Sequence, residues 1–299
     1  MISPTPGATG TLHTLVQGAR PLRHEDYANS LHRFPRDQKG AVMQRIGSII
    51  PKPRRLSVRL ASSAADIEAA QRLRWDVFYR ERGATSLDDT PLDRDPYDPV
   101  CDHLLVEDSA SGVPEVIGTY RLLRQSVATS RAGFYSAGEY DLAPLSRRSG
   151  ELLELGRSCV AAEYRDAGTI QLLWRGIASY LSQHQISTMF GCASFHGIDP
   201  ETHADSLSYL WHNHLAPPPL RARALEERYV DMARLPLGSY DPRQAMRKLP
   251  PLVKAYLRVG AQVGDGAVID HQFNTVDIFI VMPVAEISNR YIGRFGVAA

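Results

Sequence analysis

The chain has 299 residues, 43% hydrophobic and 22% charged, an ordinary globular balance. Thirty-four lysines and arginines against 33 aspartates and glutamates give a formal net charge of +1. That leaves no cation excess to displace counterions from a polyphosphate, which excludes nucleic acid as a wholesale partner. Three cysteines, Cys101, Cys159 and Cys192, offer neither zinc spacing nor a disulfide framework. No apolar run approaches the roughly 18 residues of a membrane span. The opening "MISPTPGATGTLHT" lacks the basic start and apolar stretch of a signal, so the expected location is the cytoplasm.

Residues 1–54 read as a basic, loosely structured extension. Between Arg20 and Arg55 nine cations face three acids, a local charge of +6. This is either a solvated arm or a contact for anionic lipid or an acidic protein. Regular structure is predicted to begin with the strand "RLSVRLAS", where Leu56, Val58 and Leu60 alternate. "SAADIEAAQRLRWDVFYRERG" follows as a helix, with Ser63 or Asp66 as N-cap, Ile67, Ala70, Leu73, Arg74 and Val77 at helical spacing, and Gly83 beyond its end. The aspartate-rich loop "LDDTPLDRDPYDPVCD" leads to antiparallel strands "HLLVED" and "EVIGTYRLLRQ", joined by "SASGVP". "ELLELGRSCV" is the next strand. The helix after it sets Ile170, Leu173, Trp174, Ile177, Ala178 and Leu181 on one apolar face. Then come the strand "ISTMFGCASF", a helix broken by "APPP" at Pro217, an interrupted helical stretch over 220–260, and two closing strands in "AVIDHQFNTVDIFIVMPV". The order predicts a mixed α/β fold: a mostly antiparallel central sheet flanked by helices. Residues 55–215 form its core, and 216–299 supply a helical insertion and the C-terminal strands of the same domain.

Between the fourth strand and its helix lies "YRDAG". A helix N-terminus carries free amides and the positive end of a dipole. With Arg165 and a permissive Gly168, that turn makes an anion site, or simply a tight turn that favours glycine. Other motifs carry less. "HNH" at His212–His214 sets its histidines about 200° apart on a helix, which does not suit a shared metal. "SFHG" lacks a nucleophile elbow, and "VGDG" lacks the third glycine of a dinucleotide loop.

The element order, with an arginine-x-x-glycine turn at this point, resembles the GNAT acyltransferase superfamily, whose members hold the phosphates of an acyl-pantetheine carrier there. Where that pattern ends in glycine or alanine, this chain has Ile170, which trims the loop and favours the single phosphodiester of acyl carrier protein over a coenzyme A pyrophosphate. "RLRWDVFYRE", "DRDPYDPVCDHLLV", "GTYRLLR" and "ELGRSCV" resemble the branch that draws acyl chains from acyl carrier protein, which contains acyl-homoserine lactone and N-acyl amino acid synthases. "LLWRGIA", "GCASFHG", "HLAPP" and the tail from "LPPLVKAYLRVG" to "FIVMPV" are more similar to the L-ornithine Nα-acyltransferases of ornithine lipid biosynthesis. Lactone synthases typically end well before such a tail. The resemblance covers about residues 55–285.

It implies transfer of a 3-hydroxyacyl group from acyl carrier protein to the α-amine of L-ornithine, giving lyso-ornithine lipid. The 4′-phosphopantetheine thioester is then a co-substrate, with no bound cofactor and no metal. The alternatives are another acceptor such as glutamine, lactone synthesis, or a non-enzymatic module that senses lipid or acyl carrier. An α-amine, with a reference pKa of about 7.7–8.0, is delivered neutral far more readily than a side-chain amine at about 10.4. Asp93, Asp95, Asp98 and Asp102 suit the holding of a charged side-chain amine, with Arg121 and Arg157 beside them; the same aspartates equally suit a structural network closing the site. Glu154, the acid of an "ExGR" motif, is either the general base or a partner of Arg121 or Arg157. Amides around Cys159 and Val160 are expected to polarise the thioester carbonyl, with the Cys159 thiol itself packed. Tyr209 is placed to return a proton to the leaving thiolate, and Arg165, Ala167, Gly168 and Thr169 to hold phosphopantetheine. Trp75 and Phe78 line the acyl pocket or belong to the core. An acidic carrier would dock on Arg147, Arg148, Arg165, Arg175 and the N-terminal arm, and a lipid product fits loose peripheral contact with the inner face of the cytoplasmic membrane.

Overall fold

A computed structural model of the chain describes residues 54–86, 89–131 and 133–287. They belong to the compact unit that begins at Arg54. Apart from Arg54, the expected basic extension lies outside the described residues.

Nine strands form one sheet: β1 (Leu56–Leu60), β2 (Asp102–Asp108), β3 (Glu115–Arg124), β4 (Tyr140–Asp141), β5 (Glu151–Val160), β6 (Ile186–His196), β7 (Arg223–Ala224), β8 (Gln262–Asp270) and β9 (Thr275–Pro283), in the order β1-β2-β3-β5-β6-β9-β8-β7-β4. Only β5–β6 and β7–β8 run parallel. Among the described residues the longer helices are α1 (Ala64–Trp75), α2 (Ala167–Gln183), α3 (Ala204–His214), α4 (Pro242–Lys248) and α5 (Pro251–Arg258), and two single-turn helices, Gln125–Ala128 and Ala143–Ser146, lie between β3 and β5. Mixed pairing follows from the connections, since a parallel β5–β6 pair needs the α2 crossover between its strands. No helix among the described residues is long and apolar enough to cross a membrane.

Ser63 caps α1, its side chain accepting from the Asp66 amide at 3.2 Å. The helix then widens into a π-helical turn, Asp76–Glu81, before Gly83 leaves it at φ 75°. In α2 the buried residues are Thr169, Leu173, Trp174, Ile177, Tyr180 and Leu181. Ile170 departs from the expected face and is 40% exposed. It stands in the first turn, where the apolar stripe has not yet met the sheet. Gly176 lets α2 lie close, since a Cβ there would stand 2.7 Å from Leu104 and 2.8 Å from Val58. The predicted helical stretch over 220–260 is helical only in part. Residues 223–224 are β7, Glu226–Arg228 is a single 3-10 turn, and α-helix appears as α4 and α5. Helix α3 also ends at His214, ahead of the prolines that were expected to break it.

The sheet separates two cores. On one face Leu104, Val106, Leu153 and Leu155 pack with Leu173, Trp174 and Ile177 of α2 and with Tyr256 of α5. On the other, Leu123, Leu152, Phe190 and Phe279 pack with Phe134, Tyr140 and Leu220. The second face carries the charged residues.

Candidate active site

The sheet parts at its centre. β5 and β6 pair from Glu151↔Ile186 to Glu154↔Phe190 and no further. At the last contact Gly191 is required, because a Cβ would sit 2.2 Å from the Leu155 carbonyl oxygen. Beyond it the β6-facing edge of β5 has no strand partner. On the α2 side this parting is closed: Tyr256 reaches in, its hydroxyl 3.1 Å from that of Tyr120, with Trp174 edge-on against its ring. A cavity of only about 10 Å³ remains there, between Leu155, Met189 and Tyr256.

On the opposite face three arginines meet three aspartates. Arg74, fully buried on α1, approaches Asp93 at 2.7 Å and Asp98 at 2.8 Å. Arg121 of β3 reaches Asp95 at 2.6 Å and Asp98 at 3.3 Å. Arg157 of β5 lies 3.2 Å from both Asp93 and Asp95. Gln71 donates to Asp98 at 2.9 Å, and the Tyr79 hydroxyl donates to Asp93 at 3.1 Å. Burial pushes the Asp98 carboxyl up, but the Arg74 and Arg121 guanidiniums and the Gln71 amide together outweigh it and hold the group below the ordinary aspartate range. The Tyr135 ring lies between the guanidiniums of Arg121 and Arg157, 5.5 and 5.0 Å away, and Phe273 covers Arg157 at 4.6 Å.

Arg157 owes its place to a bulge. Arg121 faces Gly156 and Thr119 faces Cys159, so Arg157 and Ser158 together oppose Tyr120 alone. Arg157 adopts φ 50°, a left-handed conformation rare outside glycine. The bulge sets Arg157 on the same side of the sheet as Glu154.

Glu154 makes no salt bridge with either arginine. Its carboxylate accepts from the Tyr135 and Ser136 amides at 2.8 and 2.7 Å and from the Ser136 hydroxyl at 2.5 Å. Burial raises its pKa, and these donors only partly offset that. Glu154 therefore fastens the short turn Tyr135–Gly138, which carries Glu139 at its end. The Ser136 hydroxyl lies 3.6 Å from the Cys192 sulfur, whose thiol in turn donates to Glu139 at 3.5 Å. Beside Tyr97, Val100, Leu123 and Ala128, on this same face, is an apolar cavity of about 350 Å³.

An acetyltransferase (GNAT) domain is matched over residues 73–175. The chain is 48% identical to an L-ornithine N(alpha)-acyltransferase of Brucella abortus (strain 2308), over 89% of this chain and 95% of that protein. It is 46% identical to an L-ornithine N(alpha)-acyltransferase of Agrobacterium fabrum, over 81% and 85%. The chain belongs to the L-ornithine N(alpha)-acyltransferase family. Its sheet follows the GNAT fold, and it is an acyltransferase. Among solved structures it is similar to FeeM, an N-acyl amino acid synthase from uncultured soil microbes, at a TM-score of 0.45 and 12% identity over 78% of this chain and 93% of that one.

In this family member the structure divides the expected site residues. Asp93, Asp95 and Asp98 come together with Arg121 and Arg157, but as a charge-balanced network rather than as free acids. Asp102 is separated from them: alternation along β2 turns it to the α2 face, where the Tyr180 hydroxyl donates to it at 2.5 Å. In the turn expected to hold phosphate, Arg165 and the Thr169 amide already have partners within the chain. Arg165 forks onto Glu81 with both bonds at 2.5 Å and donates to the Val160 carbonyl at 2.9 Å. Asp166 caps α2 by accepting from the Thr169 amide at 3.1 Å, and Arg54 pairs with Asp166. Ala167 and Gly168 are exposed there, whereas Thr169 is buried. Cys159 is a packed thiol beside Leu73 and Val77, pushed up to about 12 by burial. Tyr209 is buried on the α2 side, its hydroxyl 3.3 Å from His214. Trp75 stacks on Tyr79, and Phe78 meets Phe273 edge-on; neither lines the 350 Å³ cavity.

Sequence reasoning missed Arg74 as a member of the network and read it only as a helix-face residue. It also missed Glu139, Asp270 and Asp277, whose carboxylate oxygens lie within 4.8 Å of one another. One signal was present: Asp277 is a lone charge inside the apolar strand "TVDIFIVM".

Proposed function

We propose that the chain acylates L-ornithine at its α-amine with a 3-hydroxyacyl group delivered by acyl carrier protein. The observation that carries this reading is the 48% identity with an L-ornithine N(alpha)-acyltransferase over 95% of that protein's length. The donor is inferred separately. With Arg165 spent on Glu81 and the Thr169 amide on Asp166, the start of α2 offers little to a pyrophosphate. A carrier that binds through its own protein surface depends less on that turn.

In this reading the thioester carbonyl lies where β5 and β6 part, against the unpaired edge of β5. The neutral α-amine attacks the carbonyl carbon, and backbone amides near Cys159 and Val160 stabilise the negative charge that develops on oxygen. Collapse forms the amide bond and breaks the C–S bond. The thiolate takes up one proton, and the one lost by the nitrogen passes to solvent or a nearby base. The Arg–Asp network holds the aspartate loop against the sheet, and the apolar cavity beside Tyr97 takes the acyl chain. Tyr256 must withdraw for a pantetheine arm to pass on the α2 side. The lipid product places the enzyme at the inner face of the cytoplasmic membrane by surface contact.

The test is a transfer assay with purified chain, 3-hydroxyacyl-carrier or the matching acyl-CoA, and L-ornithine, with product read by mass and by the nitrogen acylated. Nα-acyl ornithine from the carrier donor, and at least about tenfold less from the CoA donor, is the expected result, since losing a docking surface removes 1.4 kcal/mol or more. Equal rates would remove the carrier, and no product from any amino acid would remove the function.

A further inference from the structure

Glu139, Asp270 and Asp277 come from the end of the Tyr135–Gly138 turn, the end of β8 and the start of β9. They converge on the charged face, on the β6 side of the parting. Asp277 pairs in register with Ser194, two residues beyond Cys192 on β6. Glu139 and Asp277 are 5% and 8% exposed. Among the described residues, the ion pair made to this trio is Arg228 with Glu139, at 3.4 Å. Arg157 is close enough for its charge to act on Asp277, but it is engaged by Asp93 and Asp95.

Three carboxylates with one cationic partner are a poor structural device. A buried acid without compensation is costly, and such groups are normally hydrogen-bonded. Here the Asp277 Oδ1 atom is buried without a well-aligned hydrogen-bond partner, and the Ser194 and Thr275 side chains beside the carboxyl offset its burial only in part. The pKa values follow: burial first, then the neighbouring acids, push Glu139 up to about 7 and Asp277 to about 6. The cluster lacks positive charge that a ligand could bring.

The geometry suits a primary ammonium. Three oxygens no more than 4.8 Å apart surround a centre at most 4.8/√3, about 2.8 Å, from each of them. That upper limit admits charge-assisted N–H···O bonds, and a primary ammonium has three donors to offer. The position is also right. Cys192, whose thiol donates to Glu139, lies two residues past the last β6 residue paired with β5, so the trio borders the place where the acyl group is transferred. We propose that Glu139, Asp270 and Asp277 form the subsite that receives the side-chain ammonium of a dibasic amino acid acceptor. This rests on the proposed acylation of ornithine and says which residues select it. Held there, the side-chain nitrogen stays protonated and inert, and the α-amine is left to face the thioester. Glu154 is then a positioning residue for the subsite, because it fixes the turn that bears Glu139.

The experiment compares L-ornithine with L-norvaline, which has the same carbon chain without the terminal amine, for wild type, Asp277→Asn and Glu139→Gln. Binding is measured by calorimetry without donor, and transfer by kcat/KM. Wild type is expected to prefer ornithine in both. Each variant should lower the ornithine-to-norvaline ratio about 10- to 100-fold, the usual effect of losing a hydrogen bond to a charged group, mainly through KM. An unchanged ratio, including equal losses for both amino acids, overturns the proposal. So does ornithine binding that needs added Mg²⁺ or Ca²⁺ and is abolished by a chelator, because the trio would then be a metal site. If Asp277→Asn fails to fold, Asp270→Asn, on a more exposed residue, decides the same ratio. Absence of transfer by wild type would sink the acylation reading alone, since the binding comparison still decides whether the trio recognises the terminal ammonium.

Discussion

Two charged clusters share one face of the sheet, and they are built on opposite principles. In the first, Arg74, Arg121 and Arg157 cancel Asp93, Asp95 and Asp98, and the cluster ties α1, the aspartate loop, β3 and β5 together. In the second, Glu139, Asp270 and Asp277 crowd together, and among the described residues Arg228 is the cation paired to them. Balanced buried charge holds a scaffold, whereas unbalanced buried charge awaits a ligand. The spacing of aspartates that first drew the eye belongs to the scaffold.

The contrast is open to attack, most forcefully at Arg74. Replacing it by Met leaves Asp93 and Asp98 buried without their main partner, and breaking such a pair costs about 3–5 kcal/mol. Urea unfolding of Arg74→Met should show that loss; a change below about 1 kcal/mol would mean that the network does not carry the fold.

A pH series sets the clusters against each other. Glu139 and Asp277 have raised pKa values in the folded chain, so the stability they contribute is full below their unfolded values, 4.5 and 3.8. It is lost as pH rises toward about 7 and about 6. At 1.36 kcal/mol per unit this amounts to a few kcal/mol. Asp98 behaves the other way. Its depressed value gives stability that is present above 3.8 and lost as pH falls through its lower folded value. Unfolding free energies from pH 3 to 8 should therefore fall toward both ends, and saturating ornithine should restore only the high-pH side.

A smaller effect is expected from Glu154→Gln. The new amide nitrogen would face donors rather than acceptors in the Tyr135–Ser136 turn, costing about 1–3 kcal/mol and displacing Glu139. A KM for ornithine that rises more than kcat falls fits a positioning role; loss confined to kcat would return Glu154 to the part of general base. The smallest effect belongs to Arg165→Ala. Its pair with Glu81 is partly exposed and contributes no more than about 1 kcal/mol. The KM for the acyl donor should change less than about threefold, a number that kinetics with carrier-bound substrate reads directly.

Much of this fold is legible because β1 alternates, β2 and β3 carry short apolar runs of strand length, and α2 sets apolar residues every third or fourth position. The balanced cluster was half visible too, since its aspartates lie close together in the chain. The trio was not. Residues 139, 270 and 277 share no motif, and only the β6-β9-β8 order and the anchored Tyr135–Gly138 turn bring them together. Arg165 has a partner that the sequence did not show, for a related reason. A loop's composition tells which conformations it can adopt, but Glu81, far off on the π-helical turn, decides what its arginine does.

The bulge in β5 has a further consequence. Glu154 and Arg157 are three positions apart, and strict alternation would point them to opposite sides of the sheet. The additional residue resets the phase, so the motif depends on a count as much as on residue type. Regular pairing of these same residues, without the bulge, would swing the guanidinium toward Tyr120 and Tyr256 and strip Asp93 and Asp95 of a counter-charge. The left-handed backbone at Arg157 is therefore what lets a carboxylate and a guanidinium three positions apart serve one face.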